Sequence, residues 1–583
     1  MHYHTAQKLN IKAQQGAALL IFFLALILAG SVFLFTYAPS ETGRLDSENR
    51  SSTALALAKQ ALIAHAVAYY DFTEPGRHGI LPCPERIANG IYNGDGNSAI
   101  NCNFNEHTNS IGRLPWKHLE IDPPKDLAGE CLWYALSGGF YNNPASPMTN
   151  DDTPGMFQVF NEDGNLVAGD TPENRVVAVV IAAGKPVNNQ SRTSQSDIVC
   201  NQAGDQINIT NYLESFQNID NTVVDDANED SIDQFISATG LGNNSSFNDR
   251  IITITSAEIF NAIKSRPVMY DDKIAALGSA IGECLIDYAI NSCISNSGTG
   301  SSCSILKSCN DSCQDDLNLC LMAASTGPEI SNCHTTRASC RSSCRGNNGN
   351  NGNNGNNGNN GNNGNNGNNG NNGNNGNNGN NGNGGGGGTG STAYYQLPWP
   401  APVNLNADYR IDNNYADLTD DSQGYLGRLP YTTANSSSAI GITDTKIFSE
   451  CDLPNTNPEL FNLWQHWKDH WFYVLGSDFA PSLTTAPTST CTTNCPQVDG
   501  TRYPAVIIFS GDRVNNQLRR TAETETVAPA FAESKADINN YLEDNAANYQ
   551  DASGNQTYTG NQNDRLFCLP ADMTTTPVPE CTP

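Results

Sequence analysis

From Ala17 to Tyr37 the chain reads AALLIFFLALILAGSVFLFTY, apolar throughout and without a charge. About 20 such residues can cross a ~30 Å hydrocarbon core as a helix, whereas the apolar core of a secretory signal is roughly 7–15 residues long. Lys8 and Lys12 lie upstream and Glu41, Asp46 and Glu48 downstream, which predicts that Met1 stays in the cytoplasm and the bulk of the chain lies outside. The next segment, STALALAKQALIAHAVAYY (Ser51 to Tyr70), mixes small apolar residues with Lys59, Gln60 and His65 and contains no Pro or Gly. It predicts a continuing helix whose wide apolar face packs under a globular head. Further along the period changes. VVAVVIAAG and AVIIFSG are β-branched runs closed by Gly, LWYAL and WFYVL are aromatic-rich, and NDRIITIT alternates. All predict strands of an antiparallel sheet.

These strands belong to a module that occurs twice. ILPCP (Ile80 to Pro84) is matched by QLPWP (Gln396 to Pro400), and IGRLPW (Ile111 to Trp116) by LGRLPY (Leu426 to Tyr431). LWYALSGGF (Leu132 to Phe140) is matched by WFYVLGSDF (Trp471 to Phe479), and VVAVVIAAGKPVNNQSR (Val176 to Arg192) by YPAVIIFSGDRVNNQLR (Tyr503 to Arg519). TNYLES (Thr210 to Ser215) pairs with NNYLED (Asn539 to Asp544), and FNDRII (Phe247 to Ile252) with QNDRLF (Gln562 to Phe567). Six blocks in one order define two copies of a head. The second copy is preceded by no comparable apolar first helix, so it reads as a head without a spine. The repeated Arg113/Arg428, Arg192/Arg519, Asp249/Asp564 and Arg250/Arg565 read as turns, caps and structural ion pairs rather than as a site.

A short basic leader ending in Gly16, then the apolar run, then the helical segment to Tyr70 resembles the class III leader and long first helix of type IV pilins and pseudopilins. The order helix, LPCP, NGDGN, GRLPW, WYAL resembles large pilin-like proteins of Gram-negative bacteria over about residues 12 to 260. The resemblance implies cleavage by a prepilin peptidase between Gly16 and Ala17, with the apolar helix kept. It also implies an α+β fold: a long N-terminal helix packed on an antiparallel sheet. One position departs from the family. The fifth mature residue is usually Glu, whose carboxylate can neutralise a neighbouring subunit's amine in lipid; here it is Ile21. Minor pilins and the tip-type pseudopilin share that absence, which favours an initiating or capping place; the other reading is that no cleavage occurs.

Composition narrows the partners. With 60 acidic and 31 basic side chains the formal charge is -29, which argues against nucleic acid. Eighteen cysteines in an extracytoplasmic chain predict disulfides, and C-x3-C spacing at Cys309/Cys313, Cys340/Cys344 and Cys491/Cys495 is not the usual zinc spacing. Cys83, Cys102, Cys131 and Cys200 have no aligned counterparts in the second copy, which suggests a closed set, preferably Cys83–Cys102 and Cys131–Cys200. CNDSCQDDLNLC (Cys309 to Cys320) and CHTTRASCRSSC (Cys333 to Cys344) have mirrored spacings. Offsets of 4 and 11 on a helix return to within ~40° of the start. Each trio therefore lines one face, predicting an antiparallel hairpin braced by Cys309–Cys344, Cys313–Cys340 and Cys320–Cys333, turned at Gly327-Pro328. Asp272 to Ile290 predicts an amphipathic helix capping the first head. Pairings for Cys284, Cys293, Cys303, Cys451, Cys491, Cys495, Cys568 and Cys581 stay open. The near-pure Gly/Asn run 346–390 predicts a flexible coil with a reach of roughly 35–40 Å, tethering the second head at a distance.

The expected organisation is leader 1–16, membrane or filament helix 17–72, first head 73–265, Cys-rich helical segment 266–345, linker 346–390 and second head 391–583. No nucleophile elbow, phosphate loop or metalloprotease motif is present in a plausible context, so no enzyme and no cofactor are expected. NGDGN could offer calcium ligands at Asn93, Asp95 and Asn97 but lacks the distal Glu, and reads as a turn. In FNLWQHWKDHWFY, His466 and His470 are spaced to share a metal on a helix, without an evident third ligand. Burial of Trp464, Trp467 and Trp471 against the sheet is the simpler account; if exposed, these tryptophans would be candidate ligand contacts. The expected function is a minor or tip pilin or pseudopilin-like subunit, in the inner membrane and then in a periplasmic or surface filament. Its partners would be other subunits, a prepilin peptidase and an unknown surface or secreted ligand. A membrane-anchored binding protein or adhesin outside any filament is the alternative, and an extracytoplasmic hydrolase the third reading.

Overall fold

The computed structural model describes residues 42–323 and 393–581, less several short interior stretches, and positions 336, 339, 340 and 343 between them. It is a mixed α+β protein built from two copies of one helix-on-sheet module. In the first, helix α1 (Thr42–Phe72) precedes β1 (Ser110–Arg113), β2 (Trp133–Leu136), β3 (Phe157–Asn161), β4 (Leu166–Ala168), β5 (Val176–Ala182), β6 (Asp233–Ser237) and β7 (Arg250–Thr255). The sheet runs β1-β2-β5-β3-β4, with β7 antiparallel on β5 and β6 parallel on β3. Ala54, Leu55, Ala58, Leu62 and Ala66 form the buried stripe of α1, at the spacing that keeps side chains on one helix face. They share a core with Ala178, Val180 and Ala182 of β5, while Val179 and Ile181 point into a second core with Phe157, Tyr212 and Phe235. Both faces of β5 are covered, which is why its sequence is an unbroken apolar run instead of an alternating one. Helix α2 (Ser256–Lys264) follows β7 directly, held at its start by a capping box between Thr255 and Glu258.

The repeat seen in the sequence extends to hydrogen-bond register. Gly112 faces Tyr134, which faces Val180, which faces Ile252. The second sheet is β10 (Leu426–Arg428), β11 (Trp471–Leu475), β12 (Ala505–Phe509), β13 (Arg565–Cys568) and β14 (Glu580–Cys581), in that order. There Gly427 faces Tyr473, which faces Ile507, which faces Phe567: the residues aligned by sequence occupy the same rungs. The glycine of each GRLP block is explained by the LPxP segment crossing it, since a Cβ on Gly112 would lie 2.4 Å from the Glu85 carbonyl oxygen and one on Gly427 2.0 Å from that of Ala401.

Three expectations are corrected. The second module does have a spine: helix α3 (Asp271–Asn291) packs on β12 and β13 as α1 packs on β5 and β7. Gly278 of α3 sits against the Phe567 ring and Gly282 against Val578, so α3 belongs to the second module and does not cap the first. It is the one helix among the described residues long and apolar enough to cross a membrane, but 67% of its apolar window is buried. The run Ala17–Tyr37 lies outside the described residues.

The second module is also not held at a distance. The two modules share one hydrophobic core, with Phe260 edge-on to Trp467 at 6.0 Å and Tyr270 tilted on Trp467 at 5.3 Å. Lys264 of the first module pairs across the boundary with Asp512 while also holding Asp151 of its own module at 2.5 Å. The tether failed as an expectation because β8 (Ile294–Ser295) and β9 (Ala393–Tyr394) pair antiparallel, Ser295 opposite Ala393. Everything from 296 to 392 therefore leaves and re-enters the second module at one point. Helix α4 (Ser302–Ala323) is the first arm of the expected hairpin, and Thr336, Ser339, Cys340 and Ser343 are helical positions of the second.

Candidate functional site

The disulfides come first among the predicted site residues. Cys83–Cys102, Cys131–Cys200 and Cys313–Cys340 are bonded as expected. Cys309 and Cys320 are disulfide-bonded too, while Cys333 and Cys344 lie outside the described residues, as do Gly16, Ala17 and Ile21. The unassigned cysteines supply Cys284–Cys451, Cys491–Cys495 and Cys568–Cys581. The first of these joins α3 to helix α5 (Ile447–Cys451), tying the spine to its own module across the whole excursion 296–392.

Trp464, Trp467 and Trp471 are core residues, at most 1% exposed. They offer no surface to a ligand. Trp464 lies in an aromatic stack with Tyr431 and Phe461 on helix α6 (Pro458–Trp467). Of the calcium candidates, Asn93 and Asp95 lie outside the described residues; Gly96 turns with φ at +72° against Trp116, as a turn requires. The repeated arginines are structural. Arg192 donates to the carbonyls of Asn211, Gly184 and Tyr212 and to Gln190, and Arg519 makes the same four bonds to Asn540, Gly511, Tyr541 and Gln517.

His466 and His470 do not share a metal. Nδ1 of His466 accepts from the Thr149 backbone N–H at 3.0 Å, and burial holds its pKa well below the ordinary histidine value, aided by Arg77, His78 and Lys468. His470 turns the other way, into a buried polar junction where a loop of the first module enters the second. Asn150 donates to the His466 carbonyl at 3.0 Å and to Asp469 at 2.9 Å. Asp152 lies 2.9 Å from His470 Nε2, 3.2 Å from Arg513 Nε and 4.0 Å from Arg519 Nη1. Lys535 pairs with Asp469, and Arg428 donates to the carbonyls of Asp469 and Lys535. Burial opposes charge on both aspartates. For Asp152, His470, Arg519 and Arg513 outweigh burial, and for Asp469, Lys535 and His470 do, so both carboxyls stay below the usual range.

Ser510, His470 and Asp152 line up in a way that invites a catalytic reading, with Ser510 Oγ 3.2 Å from His470 Nδ1. The same Nδ1 is 3.2 Å from the Ser510 carbonyl oxygen, and none of the three residues has exposed surface. A nucleophile needs an approach path for its substrate. Among the described residues no such path reaches these buried side chains, which join the two modules. Of these residues the sequence flagged only His470; Asp151 and Asp152 sit in a loop, TNDDTPG, whose pattern says turn. No family model, curated protein or solved structure matches the chain.

Proposed function

We propose that the chain is a minor pilin or pseudopilin-like subunit of a type IV pilus or type II secretion-type filament. Its apolar N-terminal run would embed in the membrane and then among neighbouring spines. The observation that carries this reading is α1: it begins at Thr42, shortly after an uncharged, membrane-length run that ends at Tyr37, and its apolar stripe covers the antiparallel strands β5 and β7. One rod can thus be anchor at one end and head core at the other. Docking of the second module makes the head a single two-lobed body, and its bulk favours a tip or sparse position over every lateral place in a packed fibre. Its work is assembly and contact, not chemistry.

N-terminal sequencing of the protein made together with a prepilin peptidase tests this. The expected first residue is Ala17, and a Gly16→Leu variant keeps its leader. A soluble product beginning beyond Tyr37, or an uncut chain retained alone in the membrane beside assembled filaments, overturns the proposal.

A further inference from the structure

We propose that Asp151, Asp152 and His470 form a site for one divalent transition-metal ion that bridges the two modules. One ligand atom from each lies within 4.8 Å of the other two: His470 Nε2 is 2.9 Å from Asp152 Oδ2 and 3.9 Å from Asp151 Oδ1. The other ring nitrogen, Nδ1, faces the Ser510 carbonyl oxygen at 3.2 Å. As an N–H donor to that carbonyl it leaves Nε2 with its lone pair, the orientation that metal-bound imidazoles adopt. A lone pair and a carboxylate oxygen 2.9 Å apart repel each other unless a metal ion sits against both or a proton on Nε2, as in the imidazolium that supports the Asp152 carboxylate, lies between them.

The remaining oxygens are already occupied. Asp151 Oδ2 is held by Lys264 at 2.5 Å and Asp152 Oδ1 by Arg513 at 3.2 Å, so each carboxylate turns its other oxygen inward. Asp151 Oδ1, both Asp152 oxygens and His470 Nε2 are buried without a well-formed hydrogen bond, the contacts of Asp152 to Arg513 and His470 being ion pairs, and Asp152 and His470 have no exposed surface. Two carboxylates and one imidazole suit zinc, manganese or iron better than calcium, which prefers oxygen alone. Asp151 is partly exposed and provides the way in. Arg513 and Arg519 repel any added cation, so binding is weaker than at a closed structural zinc site. Because the ligands come from both modules, occupancy locks the two lobes together.

A proton on Nε2 is the competing occupant, giving an imidazolium ion pair only. Zinc binding to the full-length chain in detergent separates the two. After exposure to zinc and dialysis, elemental analysis is expected to find one zinc per chain, with a raised thermal midpoint that chelator reverses. Asp151→Asn, at the partly exposed ligand, should weaken zinc binding roughly tenfold or more; because it also loses the ion pair with Lys264, its midpoint with zinc is read against its own metal-free midpoint, and the zinc-induced rise should vanish. Cobalt in place of zinc gives visible bands that report nitrogen and oxygen ligation and vanish in His470→Gln. Absence of stoichiometric metal and of any midpoint shift in the wild-type chain overturns the proposal and leaves the ion pair.

Discussion

Replacing Gly278 by Ala tests whether α3 is the spine of the second module, because helix propensity and packing demand opposite signs. In a helix exposed to water, Gly→Ala stabilises by about 1 kcal/mol. Here the new Cβ would lie 2.3 Å from two atoms of the Phe567 ring, more than 1 Å inside an ordinary contact. Phe567 is 1% exposed and sits mid-strand opposite Ile507, so its ring has nowhere to swing. Overpacking of this kind costs typically ~1–3 kcal/mol, and a shortfall this large belongs near the upper end. The net expectation is a loss of ~1–2 kcal/mol. Denaturant unfolding of the variant measures it, with Phe567→Ala as the partner in a double-mutant cycle: the smaller ring site should relieve much of the Gly278→Ala penalty. A rise in stability on Gly278→Ala, or additivity with Phe567→Ala, would mean that α3 does not lie on β13, and the two-spine description would fail.

Two further outcomes follow from the packing. Asp249 is fully buried, accepts from Glu214 N at 2.9 Å and Asn221 Nδ2 at 2.9 Å, and burial followed by the nearby Glu214 charge pushes its pKa well above the carboxylate range. A carboxyl with a raised folded pKa contributes stability below its unfolded pKa of about 3.9 and loses it as pH rises through the folded value. Asp249→Asn cannot ionise, so its thermal midpoint should gain on the wild type between pH 4 and pH 8; parallel profiles would show that the pair does not hold a proton. Cys293 is disulfide-bonded and every other cysteine outside 296–392 is paired elsewhere, so replacing residues 296–392 by Asn-Gly with Cys293→Ser leaves no lone thiol, and should close a hairpin between β8 and β9 with both modules folded and docked. Separation of the lobes in small-angle scattering would show instead that the excursion holds them together.

What could be read in advance was whatever recurs or is local. The strands and their recurrence in a second copy were legible because LGRLP, WFYVL and VNNQLR repeat IGRLP, LWYAL and VNNQSR, and two disulfides followed from the second copy's missing cysteines; strand order and register, which depend on long-range pairing, were not. The second spine escaped notice for a plain reason: α3 ends at Asn291, and the sheet it supports begins after an excursion that ends at 392. A long Gly/Asn run between two heads invites the idea of a tether; the pairing of β8 with β9, the shared core and the packing of α3 on the second sheet exclude it, and none of these is written in a local pattern. The junction was hidden because its charges, Asp152, His470, Arg519 and Lys535, are drawn from distant points, and the patterns that hold His470 and Arg519 do not include one another or the two remaining residues. His470 stood out through the neighbouring His466, yet its acidic partners, Asp151 and Asp152, come from the other module.

The meeting of Ser295 and Ala393 bears on how this protein changes over generations. Short coding units in tandem are gained and lost readily when DNA is copied, and the Gly-Asn-Asn triplets are such units. Because the excursion 296–392 that contains the run leaves and re-enters at one strand pair, adding or dropping a triplet moves neither strand of that pair. Selection for a well-folded molecule is therefore blind to the repeat number, and lineages are free to differ in it.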